Sequence, residues 1–110
     1  FIAEGYATAY SLNQIINAYS DNMQYSVFAA FSASNMKVLV KMFKEDKLLE
    51  NKTIIICADN DQLSIAEAGA SKCPYFYFDG PKTWDANDAW LHNETQAIKQ
   101  FEKSYNNLIK

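Results

Sequence analysis

At 110 residues the chain has the length of one domain and can bury roughly two thirds of the surface its unfolded form exposes. Three glycines, two prolines and 15% aromatic residues exclude collagen-like, low-complexity and disordered classes. Ten lysines, no arginine and 13 acidic residues leave a formal charge of −3, which argues against a free-standing nucleic-acid binder with a basic face.

Phe1-Ile2-Ala3 reads as the tail of a buried strand, so the chain is expected to be a piece of a larger protein. Ala7, Tyr10, Ile15, Ala18 and Tyr19 then recur at helical spacing over about residues 6 to 19. Val27 to Phe31 is a second apolar run. A second helix follows, with Met36, Leu39, Val40, Phe43 and Leu48 on its apolar face and Lys37, Lys41 and Lys44 on its wet face. Thr53 to Ala58 and Tyr75 to Phe78 are two more runs, separated by a helix over Gln62 to Ser71. A last helix spans Glu94 to Ile109, carried by Ala97, Ile98, Phe101, Tyr105 and Leu108. The runs are continuously apolar, as in strands buried on both faces of a parallel sheet.

The expected fold is therefore α/β: a four-stranded parallel sheet with right-handed crossovers and helices on both faces. No apolar run approaches the ~20 residues of a membrane helix, so no membrane partner is expected. Cys57 and Cys73 make neither a disulfide framework nor a four-ligand zinc site. They read as reduced, buried thiols of a cytoplasmic protein.

In such sheets ligands bind beyond the carboxyl ends of the strands. Glu4-Gly5 leaves the first strand there and Asp59-Asn60-Asp61 leaves the third. Converging carboxylates offer oxygen-only ligands, which select hard cations such as Mg²⁺ or Mn²⁺. Gly5 would let the backbone turn sharply and approach a ligand closely. Asp59 or Asp61 is equally suited to cap the third helix. After the fourth strand come Asp79 and Asp85-Ala86-Asn87-Asp88, either a second ligand set or a solvated turn whose Asp85 or Asp88 caps a short helix. Tyr75 to Phe78 reads as a core strand rather than a base-stacking surface. The lysine stripe reads as a solvated face or a contact to a nucleic-acid backbone. His92 has no nucleophile pattern around it, and Trp84 and Trp90 are expected to anchor the acidic loop.

These residues, in this order, resemble a Toprim domain, the catalytic module shared by bacterial-type primases, topoisomerases and some nucleases. The pattern is a Glu after the first strand, here Glu4, and a D-x-D after the third, here Asp59 and Asp61. The likeness is nearest to the Toprim modules of plasmid- and phage-type DNA primases. It lies in Glu4-Gly5-Tyr6-Ala7-Thr8-Ala9, in Ser32-Ala33-Ser34-Asn35-Met36, in Asp59-Asn60-Asp61 and in Asp85-Ala86-Asn87-Asp88. It covers residues 2 to about 91. Thr8 stands where bacterial replicative primases usually have Asp, Ser64 where many Toprims have Gly, and Asn87 in place of the second carboxylate of the late motif.

The resemblance implies one Toprim catalytic domain over residues 1–110, performing metal-dependent nucleotidyl transfer as part of a primase that makes short RNA primers on single-stranded DNA. It implies Mg²⁺ or Mn²⁺ on Asp59 and Asp61, helped by Asp85 and Asp88, with Glu4 as acid/base or further ligand. Gly5, Lys82, Lys37 and Lys41 would contact nucleotide or nucleic acid. The partners implied are nucleoside triphosphates, template DNA gripped by regions outside this chain, and a helicase domain. Little or no activity is expected of the isolated domain. The alternatives are a Toprim nuclease or topoisomerase fragment, or a non-catalytic, receiver-like interaction domain.

Overall fold

The computed structural model describes residues 1–47 and 51–109. Four parallel strands, β1 (Ile2–Ala3), β2 (Phe28–Ala29), β3 (Ile56–Cys57) and β4 (Tyr75–Phe76), form one sheet in the order β2-β1-β3-β4. The helices are α1 (Tyr6–Tyr19), α2 (Ala33–Glu45), α3 (Gln62–Ala70), α4 (Ala86–His92) and α5 (Glu94–Ile109). The expected α/β class and the four-stranded parallel sheet are both present. Leu48, assigned to the apolar face of the second helix, lies outside the described residues.

Alternation along the inner strands splits the interior into two cores. Ile2, Ile56 and Ala58 meet Ala33, Met36 and Val40 of α2 and Ala68 of α3 on one face. Ile55, Cys57, Phe76 and Phe78 meet Leu12, Ile15 and Ile16 of α1, Ala86 and Ala89 of α4, and Ala97 and Phe101 of α5 on the other. Phe101 is the hub of an aromatic group: its ring lies 5.8 Å from Phe1 and Phe76, 5.4 Å from Tyr19 and 5.5 Å from Tyr105.

Two expectations are corrected. Burial on both faces holds for β1 and β3, but β2 and β4 are the sheet's edges, so Phe28 and Tyr77 reach solvent. In α1, Ala7, Tyr10 and Ala18 are exposed, and the buried stripe is Thr8, Ala9, Ser11, Leu12, Ile15 and Ile16. Hydropathy missed this face because two of its members are polar. The Ser11 hydroxyl meets its need by donating to Asn87 Oδ1 on the loop-side helix α4 (2.8 Å). The Ser32-Ala33-Ser34-Asn35 stretch is a helix start: the Ser32 side chain accepts from Asn35 N–H (3.1 Å), and Asn35 Nδ2 donates to the Ala30 carbonyl (2.8 Å).

Phe101→Ala empties the hub of the larger core and is expected to cost about 3–5 kcal/mol, read as a lowered urea midpoint with an unchanged far-ultraviolet spectrum below the transition.

Candidate metal centre

The strand order reverses between β1 and β3: the chain leaves β1 toward β2 on one side, then returns past β1 to β3 on the other. The loops beyond the carboxyl ends of those two strands therefore part, at the place where ligands bind in open sheets of this kind. The register Ile2↔Ile56 and Ala3↔Cys57 sets Glu4 level with Ala58, one residue short of Asp59. Glu4, Asp59 and Asp61, all half-buried, each bring a carboxylate oxygen into a group whose members lie within 4.8 Å of one another. This cluster can hold a metal ion.

The turn carrying the two aspartates is fastened from both sides. Asp61 is the N-cap of α3, its Oδ1 accepting from Ser64 N–H at 2.7 Å. Ser64 is fully buried, and its Oγ accepts from Asp59 N–H at 2.9 Å. A glycine at position 64 would leave that amide without this acceptor. From the opposite side, Asn60 clamps the loop after β4. Its N–H donates to the Trp84 carbonyl (2.7 Å), its carbonyl accepts from Thr83 N–H (2.8 Å), and its Nδ2 donates to the Gly80 carbonyl (3.1 Å). Gly80 packs so closely under the Trp84 ring that a Cβ there would collide with it. Asn60 was not singled out from sequence; the middle of a D-x-D reads as a spacer unless the partner loop is known.

The cluster lacks hydrogen-bond partners for part of its oxygen. Glu4 Oε2 and Asp59 Oδ1 are buried and unpartnered, a costly state for carboxylate oxygens. Burial above all pushes the Asp59 carboxyl up to about 7. The Glu4 charge, a hydrogen bond that the protonated form donates to Glu4, and the Asp85 and Asp61 charges add to the rise. Beneath it, burial and the Asp59 and Asp85 carboxylates raise the fully buried Cys57 thiol, which keeps it protonated and unreactive.

The other expected site residues divide. Asp85 is close enough for its charge to act on Asp59, but it is also the N-cap of α4. With Asp88 it forms a capping box: Asp88 N–H donates to Asp85 Oδ1 (2.9 Å) and Asp85 N–H donates to Asp88 Oδ2 (3.0 Å). Neither belongs to the three-carboxylate group. Gly5, the residue preceding α1, is extended (φ −105°), and a Cβ there would meet only Thr8 Oγ1 at 3.9 Å. The turn thus does not need glycine's conformational freedom. Lys82 is exposed and adjoins Thr83, whose N–H binds Asn60. Lys37 and Lys41 lie on the exposed face of α2, and Lys37 pairs loosely with Glu67 of α3 (3.9 Å). His92 is exposed and packs edge-on against Trp84 at 5.3 Å. A cavity of about 540 Å³ opens at the amino end of the sheet between Phe1, Met23, Tyr25, Phe28 and Tyr105, and none of its described lining residues is an acid.

No family model, no curated protein and no solved structure matches the chain. Among the described residues no helix is long and apolar enough to cross a membrane.

The raised Asp59 value has a sign that can be tested. Between its ordinary 3.8 and about 7 the folded chain keeps a proton that the unfolded chain has released. Stability without metal therefore falls as pH rises through that window, and the loss is complete above it. In EDTA the melting temperature is expected to drop from pH 5 to pH 8, and Asp59→Asn, which cannot ionise, is expected to flatten that slope and melt higher than the wild type at pH 8.

Proposed function

We propose that this chain is a Toprim-type catalytic domain, performing Mg²⁺- or Mn²⁺-dependent nucleotidyl transfer as the primer-synthesising part of a DNA primase. The observation that carries the reading is the meeting of Glu4, Asp59 and Asp61 at the reversal of strand order, with two buried oxygens left without a partner. The donor set is all oxygen, as small hard cations require. Three carboxylate oxygens already lie within 4.8 Å of one another, so Glu4, Asp59 and Asp61 are the residues that would hold such a cation between them.

Asp59 and Asp61 are the residues that would hold the cation, Asp61 while keeping its hydrogen bond to Ser64. When bound, a divalent cation neutralises nucleotide phosphates and favours ionisation of the attacking hydroxyl. Glu4 completes the ligand set or, through the unpartnered Oε2, accepts the proton of that 3′-hydroxyl. Asp85 supports the site electrostatically from its cap, and Asp88 holds Asp85 in place. Lys82, exposed within the clamped loop, would reach a triphosphate. Lys37 and Lys41 would meet a nucleic-acid backbone, Lys37 by exchanging its long, weak pairing with Glu67. The net charge of −3 fits a site where a cation, rather than a basic surface, recruits phosphate. Grip on single-stranded template would come from outside this chain, as would any helicase partner. Buried thiols at Cys57 and Cys73 suit a reducing, cytoplasmic setting.

A Mn²⁺ titration followed by NMR tests the metal step. Saturable broadening confined to the surroundings of Glu4, Asp59 and Asp61 is expected, and Asp59→Ala should abolish it; no broadening at millimolar Mn²⁺ would defeat the proposal. In a longer protein containing this domain, Glu4→Gln is expected to lower ribonucleotide incorporation on single-stranded DNA about 10²–10⁴-fold, the usual worth of positioned acid/base chemistry. Residues 1–110 alone are expected to make no primers. Nicking of plasmid DNA without ribonucleotide incorporation would instead favour a Toprim nuclease.

A further inference from the structure

Phe31 breaks two rules at once. Its φ is +71°, a left-handed backbone state that a bulky aromatic residue rarely adopts. Its side chain is 76% exposed and belongs to neither core, so no burial offsets that strain. Strained residues of this kind persist where the surroundings impose them, and they concentrate at functional sites. The Phe31 N–H donates to the Glu4 carbonyl at 2.6 Å, extending the β1–β2 ladder beyond the strands. The Phe31 main chain is thereby fixed beside that of Glu4, which supplies one carboxylate of the candidate centre. Two further large side chains stand in solvent on the same edge. Tyr6, two residues after Glu4, is 70% exposed, and Leu63, two residues after Asp61, is 65% exposed. Each carboxylate-bearing turn is thus followed at once by apolar surface.

We infer that Phe31 is a stacking platform for the base of a nucleotide whose phosphates lie at the Glu4–Asp59–Asp61 centre. The inference rests on the metal-dependent reading given above and adds to it the residue that receives the base. An aromatic face stacks on any base without needing hydrogen-bond complementarity, so Phe31 would bind nucleotides as a class rather than select one base. An anionic ligand with an aromatic group fits this combination better than a bare phosphate, which would use only the cation held by the carboxylates and leave the ring idle. The hydrogen bond between Phe31 and Glu4 uses only main-chain atoms, which leaves the Glu4 carboxylate free for the metal.

The test compares Mg²⁺·ATP with Mg²⁺·tripolyphosphate, titrated by NMR into the wild type, Phe31→Ala and Phe31→Trp, after each protein's Mn²⁺ broadening has been recorded. Because the ring lies outside both cores, both variants should fold. Phe31→Ala is expected to keep the Mn²⁺ broadening and the tripolyphosphate affinity, and to lower the ratio of ATP to tripolyphosphate affinity about tenfold. Phe31→Trp should preserve or raise that ratio. An unchanged ratio in Phe31→Ala, with broadening intact, overturns the platform and leaves the metal centre standing. Absent broadening in the wild type removes both.

Discussion

The handedness of parallel-strand crossovers, combined with one reversal of strand order, governs the rest of this structure. A right-handed crossover from β1 to β2 places α1 on one face of the sheet. The next crossovers run the other way, from β2 to β3 and then to β4, and so place α2 and α3 on the opposite face. After β4 the chain returns to α1's side as α4 and α5. Two cores follow from that division. So does the parting of the loops after β1 and β3, the one stretch of the carboxyl edge where neither crossover helix closes over the sheet. The carboxylates stand where the topology leaves room.

What fills that opening is held with little slack. The acidic turn is tied to α3 through Ser64 and to the loop after β4 through Asn60, and that loop runs directly into the capping box of α4. Elements from both faces of the sheet thus meet at three consecutive residues. Such fixing sets the main chain that carries Asp59 and Asp61 and holds the Asp61 carboxylate through Ser64. Burial above all, with the neighbouring acids adding to it, raises the Asp59 carboxyl there. A cation would lower it, so folding energy and cation binding are linked at this edge.

The fold class was legible because periodicity changes sharply along this chain: apolar runs without alternation, then stripes at helical spacing. α1 and α5 fall where the stripes place them. The faces were less legible. A burial pattern that includes Thr8 and Ser11 is invisible to hydropathy, and only the partner Asn87, far along the chain, makes sense of Ser11. The edges were illegible for a related reason: Val27 to Phe31 and Thr53 to Ala58 read alike, and strand order, which sequence does not state, decides which is buried twice. The acids Glu4, Asp59 and Asp61 could be found from their places after two strands. The two readings of Asp61, cap or ligand, were posed as alternatives, yet a carboxylate has two oxygens and this one sits in both settings. Phe31 gave no signal, since an aromatic at the end of an apolar run looks like core.

The double setting of Asp61 bears on how genetic data at this edge should be read. Replacing Asp61 removes a helix cap as well as a carboxylate from the cluster, so a null phenotype there confounds a frayed α3 with a missing ligand. Glu4 differs: it precedes α1 without capping it, because Gly5 occupies that position, and its Oε2 serves no structural hydrogen bond. Unlike that of Asp61, the loss of Glu4 reports on the cluster without removing a helix cap.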